Sequence, residues 1–258
     1  MNAFLGRHKI SLFRWLVLLG FLGFWELLIQ TGTASAFWTS GPSLMAERLW
    51  QLARSGELAY HTWITLEETF AGLAAGTAAG VALGLLIGVS RNVGAVFEPF
   101  VIALNSLPRV ALGPLIVMYV GIGFASKFLL AFSLVVIAIM LNTYEGIRSV
   151  DRTLVDLMRK MGATRWQTFQ KLLLPNCIPW IFSALRVSIS FAIIGAIVGE
   201  FISSRAGIGF MIDTASGAFD TTGIMVPLFV LMIVAFGMDR ILVHVSNRLL
   251  RWRPRDAE

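Results

Sequence analysis

The sequence predicts an all-α membrane protein, and three observations carry that expectation. Only 14% of the 258 residues are charged while 57% are hydrophobic, against roughly 25% charged in an ordinary soluble domain. The apolar residues fall in long runs, and about 20 of them in helical form cross the hydrocarbon core of a bilayer. The short alternating segments of a membrane β-barrel, the other way to satisfy backbone groups in lipid, do not occur.

Six spans are expected, at about 13–29, 63–89, 100–120, 128–141, 181–201 and 224–243. The first follows the basic stretch Arg7, His8, Lys9 and Arg14. With the small triplet Ala34-Ser35-Ala36 it also has the outline of a cleavable leader, although Trp25 and Glu26 fit such a core poorly. Retention and cleavage both stay open. The stretch 43–58 reads as a short external surface helix. The second span carries glycine at 72, 76, 80, 84 and 88. Four-residue steps keep these on one slowly drifting face, a strip on which another helix can approach closely. That strip is either a static contact or a seam that slides.

The third span is interrupted by Pro108, Gly113 and Pro114. Each proline removes a backbone donor, and broken helices at membrane depth line cavities or lie against protein. Intramembrane charge is costly and marks candidate functional positions: Arg109 in the third span, and Arg186 and Glu200 in the fifth, are candidates for a translocation path. Snorkelling or a carboxylate partner is the alternative for Arg186. Asp239 is expected near the inner interface, offset by Arg240. The segment 203–222, with Gly207, Gly209, Phe210 and Gly217, has an apolar middle too short to span.

Orientation follows from Lys and Arg placement. With the N-terminus inside, 15 of the 21 basic residues lie on the inner side and four outside, the latter being Arg48, Arg54, Lys127 and Arg205. Both termini are therefore expected in the cytoplasm. The single cysteine, Cys177, excludes an intrachain disulfide and reads as a small apolar residue.

The inner segment 149–175 is too polar to span and too regular for a slack loop. Thr153 is placed to cap a helix whose apolar residues are Leu154, Val155, Leu157, Met158 and Met161. Gly162 ends it, as glycine readily takes the left-handed conformation past a helix end. Thr164 and Gln167 then form a Thr-x-x-Gln capping box, and Pro175 is expected to stop the second helix. Two short helices about a glycine corner make a knob that a soluble partner can grip.

The run DLMRKMGATRWQTFQKLLLP resembles the EAA loop of permease subunits from bacterial ABC importers. Asp156 stands at the Glu of its Glu-Ala-Ala, Gly162 and Ala163 at its Gly-Ala, Phe169 at its Phe, and Leu174-Pro175 at its Leu-Pro; Leu157 and Met158 replace the two alanines. NSLPRVALGPLIVMYVGIG, GEFISSRAGIGFMI and the basic ending NRLLRWRP are similar to the nitrate/sulfonate/taurine branch. The resemblance implies a MetI-like, type I importer permease in the bacterial inner membrane. Residues 1–60 would form an N-terminal transmembrane helix plus an external lateral segment, and 61–258 the permease core. It further implies that Asp156, Met158, Met161, Gly162, Ala163, Thr164, Trp166, Phe169 and Pro175 couple to a separate ATPase. Gly207, Gly209 and Phe210 would contribute to an outer gate.

The implied partners are a second permease copy, two ATP-binding subunits that hold ATP and magnesium, a solute-binding protein and lipid, with no nucleic acid. No G-x-x-x-x-G-K-[ST] loop occurs in the sequence, so this chain is not expected to bind nucleotide, nor does it offer metal-spaced ligands. The cargo expected by branch is a small anion such as nitrate, a sulfonate or taurine, with vitamin precursors also open. A secondary transporter is the alternative, but no internal repeat supports it. An intramembrane enzyme would need a nucleophile–base pair that His61 and His244 do not supply.

Overall fold

The structure, a computed structural model, describes residues 2–250 and the side chains of residues 12–90 and 92–250. The side chains of Arg7, Lys9 and Arg91, and all of Arg251, Arg253 and Arg255, lie outside the described residues. The described chain is helical, in the order α1 (Asn2–Gln30), α2 (Ala36–Thr39), α3 (Pro42–Ser55), α4 (Glu57–Val89), α5 (Arg91–Ser106), a 3₁₀ turn (Arg109–Leu112), α6 (Gly113–Val120) and α7 (Phe124–Arg148). After these come α8 (Arg152–Lys160), α9 (Arg165–Thr168), a π turn (Phe169–Leu173), α10 (Leu174–Ser203), α11 (Ile208–Gly217) and α12 (Thr221–Leu249).

Five helical stretches among the described residues are long and apolar enough to span, namely Leu12–Gln30, Glu57–Val89, Phe124–Arg148, Arg165–Ser203 and Thr221–Leu249. A sixth candidate is the pair Asn92–Ser106 and Arg109–Val120, bent by 76°. The chain forms two compact units, one from the described residues of Met1–His61 with Met211–Val230, the other from those of Thr62–Phe210 with Leu231–Glu258.

The larger unit is organised by the glycine strip of α4. A Cβ built on Gly72 would stand 2.5 Å from that of Ala131, and one on Gly76 2.8 Å from Val135. On Gly80 it would stand 2.6 Å from the Val136 carbonyl oxygen, and on Gly84 2.6 Å from that of Met140. Gly88 meets Ile147 in the same way. The partners on α7 advance in step with the glycines, so α4 and α7 run parallel in one fixed register, held by close van der Waals packing.

On α7's other side α10 runs antiparallel: Gly199 lies against Lys127, Gly195 against the Ala131 backbone, and Trp180 against Gly146. Val135, Ile139, Ala184 and Ala192 are the buried centre of this three-helix stack. The parallel pairing also decides what the bent segment does. Val89 and Phe124 lie at opposite ends of the pair, so residues 90–123 must return across the membrane. The α5–α6 pair is thus a broken span rather than a re-entrant loop.

In the smaller unit, Glu26 of α1 accepts hydrogen bonds from the Ser43 N–H (3.0 Å) and hydroxyl (2.8 Å). It supplies the cap that α3 lacks at its own Gly41. The Ser40 and Thr222 hydroxyls share a 2.9 Å hydrogen bond, and Asp220 accepts from the Gly223 N–H at 2.8 Å to open α12.

Candidate functional site

The segment 149–175 folds as two short helices about a glycine corner. Its first cap is Asp151, not Thr153: the Asp151 carboxylate accepts from the Thr153 N–H at 2.8 Å. Residue 151 is the last with extended backbone, which is where a capping side chain reaches the free N–H groups of the first turn. That donation holds the Asp151 carboxyl below the usual carboxylate range.

The helix closes at Gly162 (φ +78°). The Ala163 N–H donates to the Met158 carbonyl (3.0 Å) and the Gly162 N–H to that of Arg159 (3.0 Å), a Schellman closure. Thr164 and Gln167 then make both halves of a capping box, at 2.8 and 3.2 Å.

Pro175 does not stop the second helix. Helical structure continues from Arg165 to Ser203, and the proline sits in the first turn of α10 immediately after the π turn. A helical proline cannot bond the carbonyl four residues back and crowds it. Here that carbonyl belongs to Lys171, inside the π turn, whose wider i→i+5 spacing absorbs the misfit.

The segment leaves an apolar surface uncovered. Met161 is 75% and Trp166 62% exposed, with Leu154 and Leu157 also exposed beside them. Trp166 stacks on Phe169 with ring centroids 5.4 Å apart, while Asp156 pairs with Arg159 at 3.7 Å. Asn176 fixes the root of the segment, donating to the Gly146 carbonyl (2.8 Å) and to the Ser149 hydroxyl (3.1 Å).

The three expected path residues part company. Arg109 is half-buried at the break of α5–α6. Its guanidinium donates to the Ser133 and Leu134 carbonyls (3.2 and 3.3 Å) and to the Asn105 side chain (2.8 Å), all of them neutral groups. Arg186 forms a two-pronged pair with Asp239 (2.7 and 3.3 Å) and lines a recess of about 320 Å³ with Ser183, Ser246 and Asn247. Asp239 is therefore offset by Arg186 rather than by Arg240, whose guanidinium lies over Phe236.

Glu200 is buried at the other end of α10. It accepts from the Thr65 hydroxyl (2.7 Å) and from the Gly209 N–H, while Thr65 in turn accepts from the Ile208 N–H (2.8 Å). A Cβ on Gly207 (φ +115°) or Gly209 would strike the Glu200 carboxylate, so these glycines give it room. Phe210 follows, half-buried.

Lys127 was expected among the external charges; instead it is buried in α7 and pairs with Glu68 at 3.0 Å. Thr65, Glu68 and Lys127 escaped the sequence reading. A signal for two of them was present: stepping back four residues from Gly72 along the strip reaches Glu68. Stepping back four from its partner Ala131 reaches Lys127.

The geometry defines a polytopic helical membrane protein with a tightly packed three-helix core and a structured polar loop between two spans. The chain belongs to the family described as binding-protein-dependent transport system inner membrane component, which matches residues 77–251. It is similar to the riboflavin transport system permease protein RibX of Chloroflexus aurantiacus, with 37% identity over 90% of this chain and 86% of that one. It is also similar to the putative aliphatic sulfonates transport permease protein SsuC of Escherichia coli K12, with 32% identity over 93% and 91%. Among solved structures, an inward-facing MetNI methionine ABC transporter shares the fold. Its TM-score is 0.64 at 21% identity, over 80% of this chain and 97% of that one.

The chain is thus an ABC importer permease subunit of MetI-like fold, and it is not itself an enzyme, since ATPase activity in such systems lies in a separate subunit. The secondary-transporter alternative finds no support in this family membership.

Proposed function

We propose that the chain, paired with a second copy of itself in a bacterial inner membrane with both termini cytoplasmic, forms the path for a small solute handed over by a binding protein. Residues 61–258 are the permease core, and 149–175 is the socket for an ATPase subunit that carries ATP and magnesium. The observation that carries this reading is the uncovered apolar surface of Leu154, Leu157, Met161 and Trp166 on a segment capped at both of its short helices. Apolar side chains held in water on a structured element mark an interaction site. Closure of the two ATPase subunits would draw the two sockets together and rock the spans around Arg109.

Gly162→Pro tests it. Proline cannot adopt φ +78° and lacks the N–H donated to Arg159. The variant should insert normally yet lose uptake and ATPase stimulation together, and normal uptake would sink the coupling role.

For the cargo, a small anion such as nitrate, a sulfonate or taurine is supported by Arg109, whose described partners are neutral and leave its charge available. The likeness to a riboflavin permease favours a second reading, a heterocyclic vitamin or its precursor. Arg109→Gln separates them: anion uptake should fall about tenfold, the loss of one charged hydrogen bond, while uptake of a neutral heterocycle should hold.

A further inference from the structure

The cluster at the end of the three-helix core farthest from 149–175 has an unbalanced charge. Lys127 lies about 20 residues, or roughly 30 Å of helix, from the Ile147 end of α7. Glu68 and Glu200 are each 2% exposed and Lys127 6%, so two carboxylates face one ammonium. Their hydrogen bonds are almost fully assigned. Lys127 donates to Glu68 Oε1 (3.0 Å) and to the Ser204 hydroxyl (2.8 Å), and Ser204 donates on to the Ala206 carbonyl. Both Glu200 oxygens are taken, Oε1 by the Thr65 hydroxyl and Oε2 by the Gly209 N–H.

The exception is Glu68 Oε2, which is buried and has no donor among the described residues. Glu68 lies one turn along α4 from Thr65, whose hydroxyl holds the Glu200 carboxylate at 2.7 Å, so the two carboxyls are neighbours. Among the described residues, the buried ionisable groups here are Glu68 from α4, Lys127 from α7 and Glu200 from α10, with Arg205 exposed on the turn between α10 and α11. The opening of α11 contributes only backbone N–H groups.

Fully ionised, the cluster would carry one uncompensated negative charge out of water, which is strongly unfavourable. One added proton removes that charge and leaves the orphaned oxygen no longer a bare acceptor without a donor. A proton needs no extra volume, whereas a metal ion or water would need room beside an oxygen that has essentially no accessible surface.

We propose that Glu68 and Glu200 hold one resident proton between them, forming with Lys127 an electroneutral site that keeps Glu200 seated on the first residues of α11. The proton is part of the fold at neutral pH. Removing it at high pH leaves a net charge that is relieved by unseating Glu200 from Thr65 and Gly209.

The test is infrared spectroscopy of the full chain in lipid nanodiscs at pH 7, reading the protonated-carboxyl stretch that shifts in deuterium oxide. The wild type should show one such group. Glu68→Gln should lose it, because Glu200 then balances Lys127 as a carboxylate. Lys127→Met should roughly double it, since neutrality then requires a proton on each carboxyl. Identical wild-type and Glu68→Gln spectra, or no gain in Lys127→Met, would overturn the proposal. So would a wild type that lacks the band and melts higher only when sodium or potassium is added, which would make the occupant a metal cation. Should one variant fail to assemble, the other decides by the same criterion.

Discussion

The α4–α7 seam and the segment 149–175 are built on opposite terms. In the seam every bare glycine of α4 is filled by a specific α7 residue of the same chain. In the loop segment the backbone is fully capped while Leu154, Leu157, Met161 and Trp166 have nothing over them. The first region is complete in the monomer and the second is rigid but unfinished. Substitution should therefore damage folding in one and only association in the other.

The largest effect is expected at Gly80. Any side chain there meets the Val136 carbonyl oxygen at 2.6 Å and Ile139 at 2.8 Å, and helix backbone cannot retreat as a flexible side-chain tip can. Gly80→Leu should destabilise by about 3 kcal/mol or more, at or beyond the upper end for overpacking. Membrane yield and melting in detergent would report it. A variant that melts like the wild type would mean that the helices have room to separate, turning the seam into the sliding contact that the sequence equally allowed.

The loop should behave in the reverse way. Trp166→Ala removes an exposed ring that touches Phe169 within its own chain, so melting should shift little. If the surface is a socket, that ring is a natural hot spot worth about 2 kcal/mol, or roughly 30-fold in affinity for the ATPase. Co-purification of a nucleotide-binding subunit with wild type and variant measures it. Equal recovery would put the contact elsewhere on the loop.

What the sequence made legible follows the same division. The glycine strip, the Gly162 corner and the Thr164–Gln167 box are local patterns whose geometry depends on residues within one or two turns, and the structure contains all three. The broken third span was readable from Pro108 and Pro114, because proline chemistry is local as well.

What failed to show depended on partners far along the chain. Lys127 read as an external charge because its counter-ion, Glu68, lies on another helix, and the four-residue step that leads to each becomes a pair only once Gly72 is known to meet Ala131. Glu200 was legible as an intramembrane charge but not as the acceptor for Gly209 and Thr65. Pro175 misled for a different reason: a helix can widen locally to pass a proline, and no residue pattern signals that choice. Asp151 and Thr153 are both capping types, and the backbone turn-in point decides between them.

The smallest effect sharpens that last distinction, and its pH dependence gives it a signature. The Asp151 carboxyl is held below the usual range by the Thr153 N–H, so the folded state favours its ionised form. Its contribution to α8 is therefore present above the unfolded-state value of about 3.9 and is lost as pH falls through the lower folded value. Asparagine keeps a capping oxygen but does not titrate, and alanine keeps neither. In peptide-resolved hydrogen exchange of 152–160, Asp151→Ala should open the first turn of α8 at every pH. Asp151→Asn should match the wild type in acid and fall modestly short of it at neutral pH. Thr153→Val, which removes the hydroxyl but leaves the bonded N–H, should change nothing. If Thr153→Val opens the turn as much as Asp151→Ala, then the threonine is the true cap and the first turn of α8 begins two residues later.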